Sequence, residues 1–145
     1  MTLLGAIPTS NIDASVLIDK IHRVLDITTL TGQPYGIILA TAGVTIPVYF
    51  GHKAIHTVRE KLRQEIGMGQ DYTTDSILWE HIGWFQIMRF LSEPSADLAT
   101  HMQQFSQLAF PPISNPRFAL ITTNSKTLAP DQWNIVAHFE TARQA

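Results

Sequence analysis

The stretch IPVYFGHKAIHTVREKL, Ile46 to Leu62, is where the fold is decided. A β-branched run ends in Tyr49-Phe50-Gly51, and a helical pattern begins almost at once. Ile55, Val58, Leu62 and Ile66 recur at spacings of three and four, which puts them on one face of a helix. That helix is expected over about Lys53 to Gly67, with Gly67-Met68-Gly69 as its stop. Upstream, Tyr35 to Thr41 and Val44 to Phe50 read as two strands joined at Ala42-Gly43, a hairpin. Pro47 has no N–H to give a neighbour, so the second strand is expected at a sheet edge. TGQP, Thr31 to Pro34, reads as a turn leading into the hairpin.

Working outward, Ser10 or Asn11 is placed to cap a first helix carrying Ile12, Val16, Leu17, Ile21, Val24 and Leu25 and ending near Thr28. Ser76 to Leu91 is long and apolar, and its second half, Trp84 to Leu91, reads as a third strand, with a helix as the alternative. Ser95 caps a further helix bearing Leu98, Met102, Phe105 and Ala109, which the prolines of FPPISNP end. Phe118 to Thr123 reads as a fourth strand. Pro130 suits the first turn of a last helix with Trp133, Val136, Ala137 and Phe139 inward. Strands and helices in this order imply an α+β fold, a small antiparallel or mixed sheet of three to four strands flanked by helices.

The chain has 145 residues and fits a single domain able to bury a real core without cross-links. It contains no cysteine, which excludes a disulfide scaffold, a cysteine-zinc site and a thiol nucleophile. A net charge of -2 provides no global positive field to draw in nucleic acid, so any such contact needs a local patch. MTLLGAIPTSNID lacks the basic start of a signal peptide, and no apolar run approaches the roughly 20 residues that span a bilayer. A cytoplasmic protein without membrane contact is the expectation.

His56, Arg59 and Arg63 form a cationic stripe beside the apolar face of the helix over Lys53 to Gly67. Such a stripe at a strand end suits a phosphate, although a solvated helix flank is the plainer reading. His52 and His56 flank Tyr-Phe-Gly and are candidate bases. Asp97 and His101 stand at i, i+4, a ligand-compatible spacing that is more often an exposed hydrogen bond. Glu80 and His81 are adjacent and on a strand would face opposite ways. Trp79, Trp84, Phe85 and Phe90 read as core or interface rather than a base-stacking platform, because only Arg89 interleaves with them.

Taken together, Gly36-Ile37-Ile38, Tyr49-Phe50-Gly51 and Arg59 resemble the motif series of the GIY-YIG nuclease family. Eleven positions separate Ile38 from Tyr49 and eight separate Gly51 from Arg59, intervals similar to the family's. Pro112 and Asn115 resemble its closing segment. The resemblance covers residues 33–115 as a core, with 1–32 a helical extension and 116–145 a strand-helix extension. It implies that Tyr49 positions a phosphate and Arg59 offsets its charge, with Gly51, His52, His56, Arg63 and Asn115 lining the site.

Two parts of the family's chemistry are missing. Ile38 stands where a tyrosine activates the attacking water, and isoleucine can neither move a proton nor donate a hydrogen bond. Tyr35 lies three positions earlier, on the opposite face of a regular strand, and could substitute only if that strand were bulged. The glutamate that binds a divalent metal is replaced by Gln103 or, on another alignment of helix faces, His101. Neither anchors Mg²⁺ well, so no metal or other cofactor is expected. The resemblance therefore implies a degenerate site in a binding or assembly module that self-associates or meets a protein partner. The Ser76 to Phe90 segment would be a homodimer surface. The alternative is a metal-dependent phosphodiesterase, Mg²⁺ its ion and nucleic acid its partner through the basic stripe. In that case His52, His56 or Tyr35 is the base, and Asp97 with His101 an improvised metal site. A further alternative is an unrelated α+β interaction protein.

Overall fold

The computed structural model describes residues 3, 7, 12–40, 43–68, 80–90, 92–123 and 133–143. Within them the fold is α+β, with three helices, a five-stranded sheet and a separate two-stranded sheet, both antiparallel. In chain order the elements are α1 (Ala14–Leu25), β1 (Thr31–Pro34), β2 (Ile38–Ala40), β3 (Gly43–Phe50), α2 (Ala54–Ile66), β4 (Ile82–Arg89), α3 (Ala96–Gln103), β5 (Ile113–Ser114), β6 (Arg117–Thr123) and β7 (Trp133–Glu140). No helix among the described residues is long and apolar enough to cross a membrane.

Asp13 caps α1, accepting from the Ser15 N–H at 2.7 Å. Ser10 and Asn11, the expected caps, lie outside the described residues, as do the Ala42 of the hairpin turn, Trp79 and Pro130. Leu17, Ile21, Val24 and Leu25 are buried, whereas Val16, on the flank of that stripe, is exposed. Helix α2 buries Ile55, Val58, Leu62 and Ile66 and ends as its sequence requires. Gly67 takes φ +81°, and Gly67 and Met68 return their N–H groups to Gln64 and Arg63 at 3.2 and 2.8 Å. Both helices share one apolar core with Leu30, Val48, Phe50 and Phe139.

The hairpin forms, but β3 is central and not an edge: β1 and β2 lie on one side and β4 on the other. Pro47 is tolerated there because of a break in the strand it faces. Residues 31–34, expected as a turn, are strand β1, paired with β3 as Gln33↔Tyr49 and Pro34↔Val48. Beyond it, β2 pairs one residue out of step, as Ile38↔Thr45. Gly36 and Ile37 together therefore oppose Ile46, a β-bulge with Gly36 at φ +53°. Pro47 still accepts from the Tyr35 N–H at 2.9 Å, and the bulge begins where its missing N–H would have been needed.

The bulge turns the N–H groups of Gly36 and Ile37 off the β3 ladder, and the segment after α3 receives them. Gly36 donates to Leu108 O at 3.1 Å and Ile37 to Phe105 O at 2.9 Å. This explains why α3 stops at Gln103 rather than continuing to Ala109: residues 105–109 run along the strand edge, with Tyr35 bridged to Ala109. Helix α3 is amphipathic only weakly. Leu98 and Met102 are half-buried, and no residue of α3 is fully buried.

The expected last helix is instead strand β7, paired with β6 from Arg117↔Glu140 to Thr123↔Trp133. Trp133, Ile135, Val136 and Phe139 favour a strand, and β6 supplies a partner of matching length. Of the residues expected inward, Phe139 is buried while Trp133 is exposed. The Phe139 ring meets that of His22 on α1, centroids 4.9 Å apart, so the hairpin docks on the first helix.

A Cβ at position 36 would collide with the Ser106 carbonyl oxygen, and the left-handed φ disfavours any side chain. Gly36→Ala is therefore expected to cost about 2 kcal/mol or more, read as a lowered urea midpoint at unchanged slope.

Candidate functional site

Tyr49 and Phe50 occupy successive positions of β3 and so face opposite ways. Phe50, with Val48, enters the core, while Tyr49 is 41 % exposed on the outer face of the sheet. It pairs with Gln33 on β1 and Ile82 on β4. The bulge brings Tyr35 and Ile38 to this same face, because they oppose Pro47 and Thr45, which share Tyr49's parity. On a regular strand the two would have been on opposite sides. Tyr35 is 56 % exposed.

From Phe50 the chain enters a 3₁₀ turn, Gly51–Lys53, and then α2. His52 and Lys53 take φ values of +54° and +56°, two successive left-handed residues without glycine's freedom. The side chain of Lys53, at the N-cap of α2, makes no capping hydrogen bond among the described residues. Lys53 instead reaches Glu80, Nζ to Oε2 at 2.7 Å. That hydrogen bond, helped by the charges of Lys53, His56 and His81 and opposed by desolvation, holds the Glu80 carboxyl below its ordinary pKa. Glu80 and His81 are helical and lie just before β4, which starts two residues earlier than expected. From there the His81 ring stacks on Tyr49, centroids 5.6 Å apart and planes 19° from parallel. The Nδ1 atoms of His56 and His81 are both buried, with no hydrogen-bond partner among the described residues.

The site is thus a cluster of Tyr49, Lys53, His56, Glu80 and His81, where the end of β3, the start of α2 and the start of β4 meet. Of these, the motif series pointed only to Tyr49 and His56. His81 was beyond reach of local periodicity, since its contact follows from the pairing of Tyr49 with Ile82. Chemically, the cluster offers a phenol, two imidazoles and a carboxylate already balanced by a lysine. This is a surface for hydrogen bonding rather than strong attraction of one charge sign.

Arg59 does not lie on a surface stripe. It is 2 % exposed, in the middle of the buried face of α2 that Ile55, Val58, Leu62 and Ile66 define. Burial, with the nearby charge of Arg63 as a smaller cause, lowers its pKa to about 10, which leaves it charged at neutral pH. His56 and Arg63 flank it half-buried, and His52 is exposed. Asn115 belongs to the far edge of the sheet. It follows β5 with φ +52° and donates its N–H to Leu30 O at 3.1 Å, while its Oδ1 is buried without a hydrogen-bond partner among the described residues. Asp97, His101 and Gln103 are all exposed on α3. Among the described residues no group of three or more His, Asp or Glu side chains is placed to hold a metal ion.

Comparison with protein-family models, curated proteins and solved structures found no match to this chain.

Because Glu80 is depressed in the folded state, the stability it contributes is complete above its ordinary value of 4.5 and disappears as pH falls through its lower folded value. Glu80→Gln is expected to lower the unfolding midpoint near neutral pH and to converge with the wild type in strong acid; parallel stability curves down to about pH 2 would remove Lys53–Glu80 as a contributor. Replacing His52 by glycine relieves one left-handed residue and is expected to raise stability by about 1 kcal/mol in a denaturant melt.

Proposed function

We propose that the chain is a GIY-YIG-like domain that has lost nuclease activity and serves as a binding or assembly module. The observation that carries this reading is the burial of Arg59. A guanidinium 2 % exposed does not meet a phosphodiester arriving from solvent unless the core opens. Ile38, at the position of the lost tyrosine, moves no proton. Gln103 and His101 sit exposed on a helix that buries none of its residues. The order hairpin, helix, third strand beside the hairpin supports the family likeness. With Arg59 inside, His56 and Arg63 are what remains of the basic stripe. A protein partner or a second copy is therefore favoured over nucleic acid. A cytoplasmic setting fits a chain without cysteine.

The bulge at Gly36 favours a second reading, a divalent-metal-dependent phosphodiesterase in which Tyr35 replaces the missing tyrosine. It places Tyr35 on the face shared by Ile38 and Tyr49, the condition that a regular strand does not meet.

Labelled single-stranded, duplex and branched DNA incubated with Mg²⁺, Mn²⁺ or Zn²⁺ decides between the two. The expected outcome is no cutting by folded protein. Metal-dependent cutting that is lost in Tyr35→Phe would replace the first reading by the second.

A further inference from the structure

We propose that the outer face of the sheet binds a proline-rich peptide in the polyproline II conformation, with prolines at i and i+3 seated on Tyr35 and Trp84. This names the partner class of the binding module proposed above and rests on that reading.

Three adjacent strands build the face from two rows of side chains. In the first row Tyr35 opposes Pro47, and Pro47 opposes Trp84. In the second, Gln33 opposes Tyr49 and Tyr49 opposes Ile82. All six turn away from the core, because the alternate positions Val48 and Phe50 enter it. Tyr35 and Tyr49 are exposed, and Gln33, Pro47, Ile82 and Trp84 are half-buried. Two large rings thus stand on either side of a proline floor.

The spacing of those rings suits one ligand geometry. Neighbouring strands lie about 4.8 Å apart, so Tyr35 and Trp84 are about 10 Å from each other at the backbone. A polyproline II helix rises about 3.1 Å per residue and repeats every three residues, about 9.3 Å per turn. A peptide laid across the strands therefore brings residues i and i+3 over the two rings, with Pro47 beneath the turn between them. Its conformation is set before binding, which lowers the ordering cost of docking on aromatic side chains.

The polar groups are complementary as well. Proline has no N–H, so at its prolines the peptide offers carbonyl acceptors and no charge. The face supplies donors on uncharged side chains: the phenols of Tyr35 and Tyr49, the indole N–H of Trp84 and the Gln33 amide. Beyond Tyr49, Lys53 and Glu80 balance each other. A nucleic-acid backbone would need lysine or arginine in these rows, and they hold neither. The chain itself contains one instance of the pairing. Gln33 Nε2 donates at 3.0 Å to the carbonyl of Phe110, the residue that leads into Pro111-Pro112. An amide of this face thus already holds a proline segment at its border, and a peptide of the same chemistry would extend that contact across Tyr35 and Trp84.

Fluorescence anisotropy with the full chain and a labelled decapeptide of alanine and proline, proline at every third position, tests the proposal. The expected result is saturable binding below about 1 mM, and about tenfold weaker binding of a peptide of the same composition with its prolines adjacent. Tyr35→Ala and Trp84→Ala should each weaken binding about tenfold. Ile27→Ala, an exposed position after α1, should bind like the wild type. Tyr35 makes its strand contacts through the backbone, so Tyr35→Ala keeps the test valid if Trp84→Ala fails to fold. No saturation by about 1 mM, equal binding of the two peptides, or unchanged binding by Tyr35→Ala overturns the proposal and leaves the module reading open to other partners. Cellohexaose or an oligothymidylate that binds through Tyr35 where the peptide does not overturns it in favour of a sugar or a nucleic acid. Peptide binding by a chain that also cuts DNA supports the site and sinks only the loss of nuclease activity.

Discussion

Phe50 and Val48 can be sealed from solvent only because the strand beside them carries no side chain at one position. A Cβ on Gly32 would stand 2.6 Å from Val48 Cγ1 and 2.7 Å from Phe50 Cε1. These two side chains join the sheet to the core that α1 and α2 share. Filling position 32 would push β3 away from those helices. The alternation that drives Phe50 inward drives Tyr49 outward. The core and the polar cluster are thus two consequences of one strand register.

Arg59 and Lys53 sit in different surroundings, one buried and one exposed. Arg59 takes a guanidinium into the apolar face, which costs enough desolvation to pull its pKa down to about 10. Lys53, at the exposed start of the same helix, is matched directly by Glu80 at 2.7 Å. The likeness to a phosphate-handling stripe in the sequence comes from counting positions along a helix. A turn of helix separates His56 from Arg59, and that small rotation decides between flank and core.

Much of the architecture was legible because its signals are local. Ile55, Val58, Leu62 and Ile66 carry a helical period, and Gly67 ends it. Ser95 does cap α3, its hydroxyl accepting from the Leu98 N–H. What escaped depended on partners distant in sequence. Thr31 to Pro34 contains turn-forming residues, yet pairing with β3 and β5 makes it a strand. Trp133 to Glu140 fits a helical wheel and a strand equally well, and β6 settles the choice. Pro47 marks an edge only when the facing strand is continuous. The outer cluster was half legible: Tyr49 and His56 stand in or beside motifs, whereas Lys53, Glu80 and His81 come together through a salt bridge and a strand register.

The hairpin β6–β7 has its own ladder, separate from the main sheet, and among its side chains only Phe139 is fully buried, with Phe118, Leu120 and Ala137 partly so. Two-stranded ribbons are marginal in water, so this one owes its persistence to α1. Its opening is therefore expected to cost less free energy than opening the core around β3, α1 and α2. When it lifts, the His22 ring and the face around Leu17, Ile21 and Val24 lose part of their cover. Loss of the Phe139 contact would bare apolar surface on the first helix rather than on the sheet.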